Sequence, residues 1–427
     1  MSVAVRLRGW PKRATVSAEV ASTAMSAASA HRGFDRRRRG AILIVLLAIV
    51  SCAAFGSVRN SEIPFVLVFG VASLWACAIV ALSRSDVVRN TALVTGTIFL
   101  GFALVEYGAY RLNLYKYLNI KNRGIWRQAN IGLGLENVPN ATAESREYFH
   151  DRLVFDATYI IDGNGLRKIP QSVQGGPHTA AFFGCSYMFG HGLNNDQTIP
   201  YYFLRDADRT FEGFNFSAHG WGAHQMLREL QTGLVWKIMG HPQLAFYEGL
   251  TDHIKRAATG AYEPFGPRYA LDGDSLDYLG PFHGLKYKWF LHYFGWNWTF
   301  RMIQNDLQRN EPNASEIPLY LAIMTRVRRL LEDNGARFIV IFWDKGHLAQ
   351  IIVKRLRENG FEVVRVSEII PDFGSNPIRY ELSPLDDHPS AKANHLIADY
   401  LWQRYGQPLI ATRSSNVSNS AFLPVAH

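Results

Sequence analysis

The chain has 427 residues, of which 48% are hydrophobic, and a formal net charge of +9. Residues 1–40 contain nine Lys and Arg residues against two acidic ones, so +7 of this charge lies there and the rest of the chain is nearly neutral. Because the rest of the chain is nearly neutral, it lacks the broad basic surface of a nucleic-acid-binding protein. The chain has three cysteines, too few for a disulfide framework.

Three uncharged apolar runs follow this basic segment and predict a membrane anchor over 41–112. They cover 41–58, 64–83 and 91–105, each near the roughly 20 residues that a membrane-crossing helix needs. A buried core helix is the alternative for each run, and it is strongest for the third. The first run is too long for a signal peptide, so we expect a retained anchor behind a basic, disordered cytoplasmic tail at 1–40.

Basic residues beside the runs predict the orientation of the anchor. Arginines at 36–39 precede the first helix, and Arg84 and Arg89 follow the second, so both places should be cytoplasmic. Three crossings then put everything after about residue 112 on the periplasmic or extracellular side of a bacterial inner membrane. An aromatic belt should mark the outer lipid interface, formed by Tyr107, Tyr110, Tyr115 and Tyr117.

The rest of the chain is predicted to form one α/β domain after a connecting region. Residues 113–177 connect the anchor to this domain and include alternating apolar positions and a Gly-Asn-Gly turn, which predict a hairpin. Residues 178–410 alternate strand-like runs with helical patterns, and residues 411–427 form a loose tail. The strand-like runs are 179–183, 244–248, 337–342 and 361–366. This alternation predicts a parallel sheet with helices on both faces.

Polar residues follow several of the predicted strands. Ser186 follows the first strand, Gly220 follows a short run ending at Phe216, and Thr251 follows the run at 244–248. Sites in doubly wound sheets form where strands end, so these residues are expected to lie together.

A serine nucleophile needs a base and a group that holds the base. His388 and Asp386 can supply both, because a turn can place residues two apart on one side; Asp387 is the alternative acid. The backbone N–H groups of Ser186 and Gly220 could stabilise an oxyanion. The plainer alternative is that Ser186 only caps a helix.

Four segments resemble the conserved blocks of the SGNH/GDSL hydrolase family. "FFGCSYMFGHGLNNDQTIP" is similar to the first block, with Ser186 as the nucleophile, and "NFSAHGWGAHQ" to the second, with Gly220 in the oxyanion hole. "YEGLTDH" is similar to the third, where Thr251 replaces the Asn that serves as the third oxyanion donor, so the resemblance implies that the Thr251 hydroxyl donates there. "DDHP" is similar to the last, with Asp386 and His388. The resemblance covers about residues 180–405 and implies a three-layer, flavodoxin-like sheet.

The resemblance also implies the activity, which is ester hydrolysis or acyl transfer without a metal or organic cofactor. The expected substrate is an acylated cell-surface glycan or another ester. A transferase would need a membrane partner that presents the acyl donor, so an esterase is the simpler expectation. Because Thr251 is shorter than Asn, a non-catalytic glycan-binding or scaffold module is the rival from another class. His219 and His224 lack a nearby cysteine pair, and a metal site there is not expected.

Overall fold

A computed structural model describes residues 22–23, 38–57, 63–112, 118–260, 262–295, 297–309 and 312–411. Most of the predicted cytoplasmic tail and nearly all of the predicted C-terminal tail therefore lie outside the described residues, as do Tyr115 and Tyr117 of the predicted aromatic belt. The chain divides into two compact units. The first comprises Met1–Asn113 and Trp296–Met302, and the second comprises Leu114–Gly295 and Ile303–His427.

The first unit contains three helices that are long and apolar enough to cross a membrane. They are α1 Arg38–Ser57, α2 Pro64–Leu82 and α3 Asp86–Leu112, with mean hydropathies of 2.4, 2.5 and 1.5. Helices α2 and α3 approach closely at small residues: the Ser73 hydroxyl donates to the Gly96 carbonyl over 3.0 Å, and Gly96 has no room for a Cβ beside Ala76. Such contacts are typical of helices packed in lipid.

The second unit begins with short antiparallel strands. These are β1 Leu118–Arg123, β2 Arg127–Asn130, β3 Gly134–Asn137, β4 Thr142–Phe149 and β5 Arg152–Ile160. β4 lies between β1 and β5, and β2 pairs with β3. The hairpin predicted at the Gly-Asn-Gly turn is closed only by a bridge between Ile161 and Arg167. The main partner of β5 is instead the preceding strand β4.

Five parallel strands form the central sheet. They are β6 His178–Phe183, β7 Phe211–Asn215, β8 Leu244–Gly249, β11 Arg337–Phe342 and β12 Glu362–Arg365, and they lie in the order β7-β6-β8-β11-β12. Numbered within the sheet, this is the 2-1-3-4-5 order of flavodoxin-like folds. The predicted parallel sheet is therefore confirmed.

Helices and short hairpins complete the second unit. The helices are α4 Ser186–Phe189, α5 Ile199–Asp206, α6 Ala223–Gln231, α7 Leu234–Met239, α8 Asp252–Thr259, α9 Leu285–Phe294, α10 Trp298–Arg309, which begins in the first unit, α11 Ile317–Glu332, α12 Gly346–Glu358, α13 Val366–Ile369 and α14 Ala391–Leu401. The hairpins are β9 Pro267–Asp272 with β10 Ser275–Pro281, and β13 Glu381–Ser383 with β14 Asp386–Pro389.

Alternate side chains of the sheet strands enter two different cores. Phe183 and Tyr247 pack into the core that includes α6, α8, α11 and α12. Phe182 and Phe246 pack into the core that includes α5 and α14. Because side chains alternate across a strand, both faces are apolar and must be covered by helices. The result is the predicted three-layer α/β architecture.

The order of the strands determines where the loops converge. From β6 the chain adds β7 on one side of the sheet and then β8 on the other, so the direction in which strands are added reverses between β6 and β8. In open α/β sheets, ligands bind at the carboxyl ends of the strands beside such a reversal. Ser186 follows β6, Gly220 follows β7 and Thr251 follows β8. The fold therefore brings three of the predicted site residues to one edge of the sheet.

Candidate active site

Ser186 lies at the sharp transition from β6 to α4. Cys185 is the N-cap residue and Ser186 is the first residue of the helix, so its hydroxyl is not a cap. The Cys185 N–H donates to Oε2 of the buried Glu248 over 3.1 Å, which holds this turn against the end of β8. Gly184 precedes the turn with φ +155°, and a Cβ there would stand 2.7 Å from the same Glu248 oxygen. Only glycine fits this close approach.

His388 lies within hydrogen-bonding distance of both Ser186 and Asp386. Its Nε2 is 2.8 Å from Ser186 Oγ, and its Nδ1 is 2.5 Å from Asp386 Oδ1. Both distances are those of hydrogen bonds, although Ser186 and His388 are 202 residues apart in the chain. The arrangement is that of a nucleophile, a base and a carboxylate that orients the base.

Strand geometry, rather than the expected turn, aligns Asp386 with His388. Both belong to β14, where residues two apart point to the same side. Asp386 Oδ1 also accepts the backbone N–H of His388 over 3.0 Å. The alternative acid, Asp387, points to the other side and is exposed.

Asp386 is held as a carboxylate. Burial opposes its ionisation, but the hydrogen bond to the His388 side chain and the nearby His388 and His191 rings outweigh burial and lower its pKa to about 2. A carboxylate accepts the Nδ1–H of His388, which leaves Nε2 unprotonated and facing the Ser186 hydroxyl. This tautomer is the one that a general base requires.

Gly220 has a backbone conformation that other residues adopt only with strain. Its φ is +79°, and a Cβ there would lie 2.6 Å from Oε1 of Glu263. Glu263 accepts the Leu135 N–H over 2.7 Å, and burial raises the pKa of its carboxyl to about 7. Within the described residues, neither the Ser186 N–H nor the Gly220 N–H donates to a backbone acceptor.

An open cleft of about 470 Å³, a volume that includes open solvent, is lined by Tyr187 and Asp387, the chain neighbours of Ser186 and His388, but not by Ser186 or His388 themselves. Three aromatic, two aliphatic or hydroxyl-bearing and three charged residues line it: Tyr187, Trp343, Phe373, Leu250, Thr251, Asp252, Lys345 and Asp387. The Tyr187 ring contacts both the His388 ring and the Trp343 ring, with centroids 5.0 and 5.3 Å away. Thr251 thus lines the same cleft as Tyr187, and its role as an oxyanion donor stays a prediction.

Arg167 fixes the loop that follows α4. This guanidinium is 1% exposed and donates to the carbonyls of Phe189, Gly190 and Leu193 over 2.5 to 2.6 Å. Desolvation in this position lowers its pKa to about 10. The bonds occupy buried carbonyl groups at the end of the short helix that begins with Ser186.

Two histidines and a glutamate beside the triad were not predicted as site residues. The rings of His191 and His388 have centroids 4.4 Å apart, and His191 Nδ1 is 2.7 Å from His219 Nε2. His191 Nε2 is 3.7 Å from Asp386 Oδ2 and 3.8 Å from Glu147 Oε2. No spacing in the sequence indicates this group, because Glu147 belongs to an antiparallel strand far from the recognised blocks. His224 lies elsewhere, with its ring against Phe282.

Comparisons with known proteins add only distant matches. No protein-family model and no curated protein matches the chain. Among solved structures, it matches a Desulfitobacterium hafniense protein whose description is a lipolytic protein of the G-D-S-L family, and the Bacillus subtilis protein YXIM. Each has 11% sequence identity and a TM-score of 0.33. The matches cover 53% of this chain and 98% of the first protein, and 68% of this chain and 74% of the second.

Proposed function

We propose that this chain is a membrane-anchored serine hydrolase of the SGNH type that acts on ester bonds. The observation that supports this proposal most strongly is the continuous set of short contacts from Ser186 Oγ through His388 to Asp386. A capping serine or a structural histidine would not need this alignment at the carboxyl edge of a parallel sheet.

The geometry supports a two-step mechanism. His388 Nε2 removes the Ser186 proton as Oγ attacks the ester carbonyl, and Asp386 stabilises the imidazolium that forms. The N–H groups of Ser186 and Gly220, with the Thr251 hydroxyl, hold the oxyanion. His388 then returns its proton to the leaving alcohol. Water, activated by the same histidine, releases the acyl group from Ser186.

The cleft supports a sugar ester as the substrate. Tyr187 and Trp343 line the cleft together with Asp252, Asp387 and Lys345, which offer hydrogen-bonding groups. Aromatic rings beside polar groups can bind a pyranose sugar, because the sugar presents C–H bonds on its faces to the rings and hydroxyls at its edges to the polar groups. We propose an O-acyl or O-acetyl ester of a cell-surface glycan or lipid, met on the periplasmic or extracellular side of a bacterial inner membrane.

The primary test is covalent labelling of the nucleophile. A fluorophosphonate should label the full-length protein in detergent, and Ser186→Ala should abolish labelling and p-nitrophenyl acetate hydrolysis. Ser217→Ala, which removes a buried hydroxyl from the neighbouring loop, is the matched control and should keep both signals. Equal, negligible rates for wild type and Ser186→Ala would contradict an enzyme and favour a glycan-binding module.

The same active site would also support an O-acyltransferase, in which a sugar hydroxyl replaces water in the second step. Such an enzyme needs a membrane partner that presents the acyl donor. Product analysis with an acetylated glycan and an acceptor sugar distinguishes the two activities, because hydrolysis gives free acetate and transfer gives an acetylated acceptor.

A further inference from the structure

We infer that His191, Asp386 and His388 form a binding site for a divalent transition metal such as Zn²⁺, and that the metal switches the active site off. The inference about regulation rests on the proposed hydrolase; the metal site itself does not. The three residues offer two imidazole nitrogens and one carboxylate oxygen, all within 4.8 Å of one another.

The separations suit a small metal ion. Ligands at 2.0–2.2 Å from Zn²⁺ stand roughly 3.3–3.6 Å apart in a tetrahedral site. His191 Nε2 lies 3.7 Å from Asp386 Oδ2, too far for a hydrogen bond but near the separation of two ligands. Glu147 Oε2 lies 3.8 Å from the same nitrogen and could become a fourth ligand after a movement of its carboxylate.

Three separate parts of the fold deliver these groups, and all are substantially buried. His191 follows α4, Asp386 and His388 lie on β14, and Glu147 lies on β4. The side chains of His191, Asp386 and Glu147 are 13%, 8% and 8% exposed. Packing therefore restricts the direction of each side chain, and metal binding requires only local shifts of the Asp386 and Glu147 carboxylates.

His219 prepares His191 to bind a metal. Its Nε2 is 2.7 Å from His191 Nδ1, and its own Nδ1 is buried without a partner among the described residues. When His191 donates its Nδ1–H to His219, the lone pair of His191 Nε2 faces the carboxylates of Asp386 and Glu147. Metal-binding histidines normally donate their second N–H to a hydrogen-bond acceptor, most often a carboxylate, a backbone carbonyl or water, and here the His219 imidazole takes that place. A cation between Nε2 and the carboxylates removes the unfavourable contact of a lone pair with two anions.

Metal binding is incompatible with the base form of His388. The metal takes the lone pair of Nδ1, so the single proton of the neutral ring moves to Nε2, which then donates to Ser186 instead of accepting its proton. Asp386 must also release His388 Nδ1 to join the metal. No proton or electron is gained or lost by the ring, and a chelator restores the original tautomer.

The test measures binding separately from activity. Chelator-treated, full-length protein in detergent is titrated with Co²⁺, whose visible absorption bands report tetrahedral nitrogen and oxygen ligands whether or not the protein hydrolyses esters. Wild type should develop these bands and His191→Ala should not. His219→Phe should weaken Co²⁺ binding about 10- to 100-fold, the usual effect of losing a supporting hydrogen bond. His241→Asn, at the opposite edge of the sheet, is the control and should bind like wild type.

Inhibition is measured with p-nitrophenyl acetate, each variant being compared with its own metal-free rate. Zn²⁺ should reduce the wild-type rate at least tenfold and EDTA should restore it, while His191→Ala should lose this response. No Co²⁺ spectrum in wild type, or an unchanged spectrum in His191→Ala, would overturn the site. Co²⁺ binding without inhibition of an active enzyme would overturn the regulatory role. If the wild type shows a Co²⁺ spectrum that depends on His191 but no esterase activity, the proposed hydrolase is refuted and the metal site is retained.

Discussion

Asp386 and Asp387 are adjacent carboxylates in opposite environments. Asp386 is buried against His388, whereas Asp387 is exposed at the cleft. Asp386→Asn should reduce kcat by roughly 10³- to 10⁴-fold, because an amide can present an N–H to His388 and favour the wrong tautomer. Steady-state hydrolysis of p-nitrophenyl acetate measures the effect.

The matched variant Asp387→Asn has the same change of charge one residue away. It should retain kcat within a few-fold, because Asp387 does not contact the imidazole. Similar losses in both variants would show that loss of charge, rather than the orientation of His388, causes the defect.

Glu263 makes a pH-dependent contribution to stability. Its pKa is raised to about 7 by burial, so the folded state favours the protonated carboxyl. This contribution is complete below the pKa of the unfolded chain, near 4.3, and is lost as pH rises through about 7. For Glu263 alone, the stability of the folded state should fall by roughly 2 kcal/mol between pH 5 and pH 8.

Glu263→Gln should remove that loss while keeping an acceptor for the Leu135 N–H. Relative to wild type, the variant should therefore gain stability at pH 8 more than at pH 5, measured by thermal unfolding followed with tryptophan fluorescence. A constant difference at both pH values would contradict an ionisation of Glu263 in this range.

At the scale of elements, the four-residue helix α4 depends on Arg167 from outside the central sheet. Arg167→Met leaves the carbonyls of Phe189, Gly190 and Leu193 buried without this donor. Gly190 still accepts the Leu193 N–H over 3.2 Å, so, among the described residues, the carbonyls of Phe189 and Leu193 are the two left unsatisfied. Each such group costs about 1–3 kcal/mol, so the variant should lose roughly 2–6 kcal/mol of stability. Fluorophosphonate labelling of Ser186 should slow as well, since the loop after α4 loses its support.

Arg337→Met is the control for Arg167→Met. Arg337 forms two hydrogen bonds with Glu362, but its side chain is 53% exposed. Exposed ion pairs contribute about 0–1 kcal/mol, so the change should be small. Equal destabilisation by the two substitutions would contradict the special role of the buried arginine.

The sequence predicts the central elements better than the elements around them. Strands β6, β8, β11 and β12 are short apolar runs in a chain order that specifies a parallel sheet, and their ends identify the positions of Ser186 and Thr251. The positions of Glu147, His191 and Arg167 could not be predicted, because they depend on β4 pairing with β5 and on loops packing over the sheet. β14 was expected as a turn, since four residues containing two aspartates and a proline have little strand propensity.

For the whole molecule, the membrane orientation is a prediction from arginine placement that labelling can test. In a chain with Cys52, Cys77 and Cys185 replaced by alanine, Asp274→Cys in the exposed turn between β9 and β10 should react with a membrane-impermeant maleimide in intact spheroplasts. Ser85→Cys, between α2 and α3, should react only after permeabilisation. The reverse pattern would place the second unit in the cytoplasm.

The distance between Ser186 and His388 along the chain also affects when activity can arise. The proposed nucleophile follows the first strand of the central sheet, whereas its base belongs to a hairpin that follows the last one, 202 residues later. If the chain is exported and active as proposed, the serine emerges during synthesis before the histidine has been translated. The growing chain would then be inert towards cytoplasmic esters, and reactivity would arise only after almost the entire second unit had been synthesised and folded.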